Sequence, residues 1–117
     1  MAVGFSEITY LGNEQFMVIE RDNQGGPDAV IKRLYSFSIT GLNPLADDAS
    51  NTVSYPVVSK TLVDDLMDNL AARGGLILGK IEGLAVKADG TVLVINDNDG
   101  VDDSNGETQL LRLKNLL

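Results

Sequence analysis

Neither cysteine nor histidine occurs in this 117-residue sequence. Without Cys there is no disulfide framework and no thiolate nucleophile, and the redox compartment is left open. Without His the commonest general base and the usual zinc ligand are both missing, so a Ser-His-Asp or Cys-His site cannot be built from this chain alone. Trp is absent and aromatics are 5% of residues, so the core has to rest on Val, Ile and Leu. Bases are scarce: 9 Lys and Arg face 17 Asp and Glu, a net charge of −8. That charge is repelled by a nucleic-acid backbone or an anionic membrane surface and leaves cations as the natural counterparts. No apolar run approaches membrane-spanning length, and residues 1–12 lack a basic start followed by an apolar stretch, so the chain reads as soluble and without a targeting segment. What is present, 44% apolar residues in one short chain, suits a single small domain or a piece of a larger one.

The pattern is that of short strands. Phe5 to Leu11 reads as a half-buried strand, Gly12-Asn13-Glu14 as a turn, and Gln15 to Arg21 as a strand covered on both faces. Asp22 to Asp28 is an acidic, glycine-rich loop. Ala29 to Thr40 resumes strand character, with Ile31, Tyr35, Phe37 and Ile39 on one face and Lys32, Ser36 and Ser38 opposite. A polar stretch broken by Pro44 follows, then a short strand over Tyr55 to Ser59. Leu62, Leu66 and Leu70, with Val63, Met67 and Ala71, predict a helix from Leu62 to Arg73, capped by Thr61 and stopped by Gly74. Ile81 to Lys87 and Thr91 to Asn96 form a hairpin across Asp89-Gly90, with Val92 to Ile95 buried on both faces, and Thr108 to Leu113 adds a third strand.

Residues 4–25 lie over residues 79–100 at a constant offset of 75, which matches Glu7 to Glu82, Asp22 to Asp97, Asn23 to Asn98 and Gly25 to Gly100. Repeated antiparallel units of this kind give an all-β fold, mostly antiparallel, with two blade-like units of a β-propeller and one inserted α-helix. The units are 4–40 and 80–117, and 41–79 supplies a loop, an outer strand and the helix. Two blades do not close a ring, so the expected partners are the remaining blades of a longer parent, and exposed blade edges favour a homo-oligomer.

Lys80-Ile81-Glu82-Gly83-Leu84-Ala85-Val86, then Asp89-Gly90, Asn96-Asp97-Asn98-Asp99, and Gly106-Glu107 through Leu113, together resemble the phytase-like family described as having the esterase-like activity of phytase. Phe5 to Phe37 resembles a more divergent blade of that family, in which Glu7 keeps the glutamate and Ile8 replaces the glycine. The resemblance implies a β-propeller, a role in phosphoester or carboxylic-ester hydrolysis, and a periplasmic or secreted location. A non-catalytic propeller that binds or scaffolds is the alternative, since one fold carries many functions.

Six acids and no base lie between Ala88 and Leu111. Oxygen ligands at that density suit Ca²⁺. The candidate ligands are Glu82, Asp97, Asn98 and Asp99, with Glu7, Asp22 and Asn23 as a second set. The same Asp, Asn and Gly residues read equally as turn formers that cap strand ends through side-chain to backbone hydrogen bonds. Arg21, Lys80 and Lys87 read as solvated strand-end charges, and no residue is assigned a catalytic role.

Overall fold

Strand β1 (Val3–Gly12) turns back into β2 (Gln15–Asp22) through Asn13 and Glu14, whose φ angles of 53° and 61° are both left-handed. Two such residues between paired strand ends are the backbone of the hairpin turn that matches strand twist. After a 3₁₀ turn at Gly26–Asp28, β3 (Lys32–Ser38) pairs antiparallel with β2, and β4 (Thr61–Asp65) pairs antiparallel with β3. A short helix α1 (Met67–Ala71) leads towards a second sheet of β5 (Ile81–Val86), β6 (Val92–Asn96) and β7 (Leu110–Leu113), also antiparallel throughout. The computed structural model describes residues 2–46, 54–72, 77, 79–98 and 107–117. The fold is thus all-β, two antiparallel sheets with very little helix.

The sheets stack face to face. Met17, Ile19 and Leu34 of the first sheet, with Leu66 and Leu70, pack against Ile81, Val92, Val94 and Leu113 of the second in one buried cluster. Burying each such side chain contributes about 1.5–3 kcal/mol. Polar contacts fix how the layers meet: Ser6 Oγ donates to the Ile81 carbonyl at 2.7 Å, and Thr9 Oγ1 to the Leu84 carbonyl at 3.0 Å. The loop after β2 closes on the segment entering β5, where Gly26 N donates to the Ile77 carbonyl at 2.7 Å. A Cβ on Gly25 would stand 3.2 Å from both Gly79 N and the Ile77 oxygen, so the contact has no room for a side chain.

The two sheets repeat one another in register. Ile8↔Val18↔Tyr35 recurs as Leu84↔Val94↔Leu111, and Tyr10↔Phe16↔Phe37 as Val86↔Val92↔Leu113, each residue 76 positions after its counterpart. The first-strand bulges coincide as well, Ser6 in β1 and Glu82 in β5. The offset of 75 taken from residue identities is therefore one short of the structural one. Under the structural register Glu82 stands where Ser6 does, Glu7 falls on Gly83, and Asp22 falls on Asn98 rather than Asp97.

Several local expectations are corrected. The helix expected from Leu62 to Arg73 is a strand over Thr61–Asp65 followed by a helix of five residues, and Thr61 opens the strand instead of capping a helix. The free edge of β3 supplies backbone partners to Thr61–Asp65, and Lys60 and Asp65 add ion pairs to Glu20 and Arg33, so tertiary pairing overrides helical periodicity. Leu66 and Leu70 alone keep the buried four-residue spacing. Gly74, the expected stop, lies outside the described residues. Residues 55–59 are not a strand; the strand begins at Thr61. In β3 the faces are reversed, since Lys32 and Leu34 are the buried pair. β6 is buried on one face only, through Val92, Val94 and Asn96, while Ile95 is exposed.

Candidate functional site

Asp22, Lys32, Arg21, Glu82 and Asn96 lie at one end of the stacked sheets, where β2 and β6 finish. Asp22, the last residue of β2, is fully buried, and so is Lys32, the first of β3. Asp22 Oδ1 accepts from Lys32 Nζ at 2.9 Å and from Gln24 N at 3.0 Å, while Oδ2 accepts from Val30 N at 2.7 Å and Ile31 N at 2.8 Å. Lys32 Nζ also donates to the carbonyls of Asp22, Gln24 and Gly79 at 3.2, 2.7 and 2.9 Å. Burial alone would push the Asp22 carboxyl up; the Lys32 ammonium and the three backbone donors outweigh it and hold the group well below the usual carboxylate range. This knot ties the acidic loop to its own strand ends and, through Gly79, to the second sheet. The alternation in the sequence puts Lys32 on the polar face of β3, and the structure buries it instead. Its even spacing with Leu34, in a chain with few bases, was the available signal.

Asn23 is exposed, and its Oδ1 accepts from Gln24 Nε2 at 2.8 Å. Glu7 accepts from the Ile8 amide at 2.9 Å and sits opposite Ile19, three residues along β2 from Asp22 or ~10 Å at the strand rise. The set Glu7, Asp22 and Asn23 is thus not brought together as ligands, and both Asp22 oxygens are occupied by donors.

In the second sheet, Glu82 stands at the bulge opposite Ile95 and Asn96, beside the start of the Asp97 loop. Its Oε1 accepts from Arg21 Nη2 at 2.6 Å, an ion pair joining the two sheets. Arg21 is therefore no free strand-end charge: its side chain is largely buried, Nη1 donates to the Asp22 carbonyl, and Nε is buried without a hydrogen-bond partner. Asp97 N donates to the Lys80 carbonyl at 2.7 Å, and Asn98 Nδ2 donates to Thr108 Oγ1 at 3.3 Å. Asp99 lies outside the described residues. Among the described residues no three acidic side chains converge as a metal-binding group.

Asn98 and Thr108 occupy, in the structural register, the places of Asp22 and Lys32. An uncharged pair in one unit replaces an ionic pair in the other, both linking the second strand's end to the third strand's start. Sequence reasoning also missed Asn96, which is buried, donates to the Glu107 carbonyl at 3.0 Å and accepts from Gln109 N at 2.7 Å. It pins the return of the chain into β7. Chemically, these groups latch strand ends and sheets.

No curated protein and no solved structure matches the chain. Residues 1–100 match the model of the phytase-like family, described as esterase-like activity of phytase, a stretch that holds the first unit and the Glu-Gly-Leu-Ala strand, Asp-Gly turn and Asn-Asp-Asn-Asp run of the second. That coverage shows that the chain belongs to the phytase-like family.

Proposed function

We propose that this chain is part of a hydrolase propeller of the phytase-like, esterase-like kind, acting on phosphoesters or carboxylic esters, with the remaining blades of a longer parent as its partners. The observation that carries the reading is the family match over residues 1–100. Two sheets of identical register, stacked front to back, support the propeller part of it. The experiment is release of phosphate from phytate and cleavage of an aryl ester by the complete protein, with Ca²⁺ and with a chelator. Activity on either class supports the reading; inactivity on both, with Ca²⁺ present, rejects it.

The cation part rests on Glu82, Asp97 and Asn98, which share one end of the second sheet, together with Asp99. A melting midpoint raised by Ca²⁺ and lowered by chelator supports it, and an unchanged midpoint counts against it. A periplasmic or secreted location belongs to the same reading and is checked by fractionating the producing cells. The second reading, a non-catalytic binding or structural propeller, is favoured by the engagement of Asp22, Glu82 and Asn96 in latches.

A further inference from the structure

The backbone gathers carbonyl oxygens around one buried point. The carbonyls of Asp22, Gln24 and Gly79, with Asp22 Oδ1, lie 2.7–3.2 Å from Lys32 Nζ. They come from the end of β2, from the loop after it and from the segment entering β5, so the point joins the two sheets. The Lys32 and Asp22 side chains are both wholly buried there. Carbonyl oxygens only accept, and an ammonium, with three N–H groups and no lone pair, answers them, whereas the lone pair of a neutral amine would face oxygen.

Converging backbone carbonyls of this kind replace the hydration shell of a small cation. Asp22 Oδ1 supplies the countercharge. The spacing of 2.7–3.2 Å is that of N–H···O bonds and is wider than the about 2.3–2.6 Å at which oxygens hold Ca²⁺. The walls are also fixed by bonds that do not involve Lys32. Asp22 is held by the amides of Gln24, Val30 and Ile31, Gly26 N donates to the Ile77 carbonyl, and Gly25 packs too closely against Gly79 N for a side chain.

We propose that this oxygen cage is a cation site in its own right, selective for a primary ammonium, which the chain fills from within through Lys32. The lysine bridges the two sheets as a bound ion would, so the loop from Asp22 to Ile31 is held without a metal. In the second unit Thr108 takes the register place of Lys32 and accepts from Asn98, so the ammonium site belongs to the first unit. The site lies wholly inside the chain, and it stands whether or not the protein is a hydrolase and whatever covers the outer faces of its sheets.

The test is hydrogen exchange, read by mass spectrometry on peptides covering residues 22–31, in the complete protein and in its Lys32→Ala variant. A chelator is expected to leave the wild-type protection unchanged; loss of protection would mean that a metal ion holds the loop and would overturn the proposal. Lys32→Ala removes the ammonium with a stem the size of propylammonium, and strands the Asp22 charge. Exchange at the Gln24, Val30 and Ile31 amides is then expected to quicken by roughly a hundredfold or more. Refolding the variant in propylammonium chloride is expected to restore protection, whereas 1-propanol and potassium chloride at the same concentration are not. Equal rescue by propanol would show that only the void matters, equal rescue by potassium chloride that the cage does not select an ammonium, and no rescue that the oxygens form no site without the tether; each overturns the proposal. Should the variant not fold unaided, its folded yield on refolding from urea in the same three solutes, followed by circular dichroism, decides between the same outcomes.

Discussion

Asp22 and Lys32 form the one wholly buried ion pair among the described residues, and its energetics are asymmetric. Removing one partner strands the other charge and costs about 3–5 kcal/mol, whereas replacing both with neutral groups is often close to neutral. Lys32→Met is therefore expected to lower the urea midpoint sharply, and Asp22→Asn with Lys32→Met to recover much of the loss. The Asn98 and Thr108 pair of the second sheet is the natural precedent for an uncharged latch. Strict additivity in the double-mutant cycle would mean that the two charges do not depend on each other. The pH dependence has a fixed sign. The folded-state pKa of Asp22 is depressed, so its contribution is complete above the ordinary carboxylate range and is lost progressively as pH falls from that range towards the lower folded-state value. Asp22→Asn is expected to flatten the acid side of the stability profile, measured as urea midpoint against pH; an unchanged slope would assign acid sensitivity to other carboxylates. The partner could not be read from the sequence because a lysine among Ser and Arg looks like a solvated face, and only its register with Leu34 puts it inside.

At the scale of elements, the two hairpin turns were the most legible feature, and they differ in quality. Gly90 has φ 85° in the second turn, where glycine bears no penalty, whereas its counterpart Glu14 has φ 61° with a side chain attached. A left-handed conformation costs such a residue roughly 1–2 kcal/mol. Glu14→Gly is expected to stabilise the chain by up to about 1 kcal/mol once the greater entropy of glycine in the unfolded state is offset, seen as a higher melting midpoint. A lower midpoint would show that the Glu14 conformation is not strained. β4 was the least legible element, because Leu62, Leu66 and Leu70 satisfy a helical period and nothing local says that an edge of β3 is waiting for partners. The same limit applies to the candidate ion site. Identities aligned Glu7 with Glu82 and Asp22 with Asp97, but hydrogen-bond register, which fixes the bulges at Ser6 and Glu82, shows that those acids are not equivalent.

For the whole molecule, family membership and the two-unit plan were visible in short motifs, while how the units touch was not, since Ser6 and Thr9 carry no sequence mark of their partners in β5. Their contacts also define how the molecule should come apart. Among the described residues the second sheet has three strands and buries its core face against the first, whereas the first has a fourth strand and its own latch at Asp22 and Lys32. Isolated small sheets need a packed face to be stable. Each inter-sheet hydroxyl bond contributes about 0.5–1.5 kcal/mol. Ser6→Ala combined with Thr9→Val removes both while leaving every strand ladder intact. Native-state hydrogen exchange is then expected to show a larger loss of protection in β6 than in β2, because the second sheet opens before the first. An equal loss in both strands would show instead that the two sheets unfold as one cooperative unit, with the contact between them no weaker than the sheets themselves.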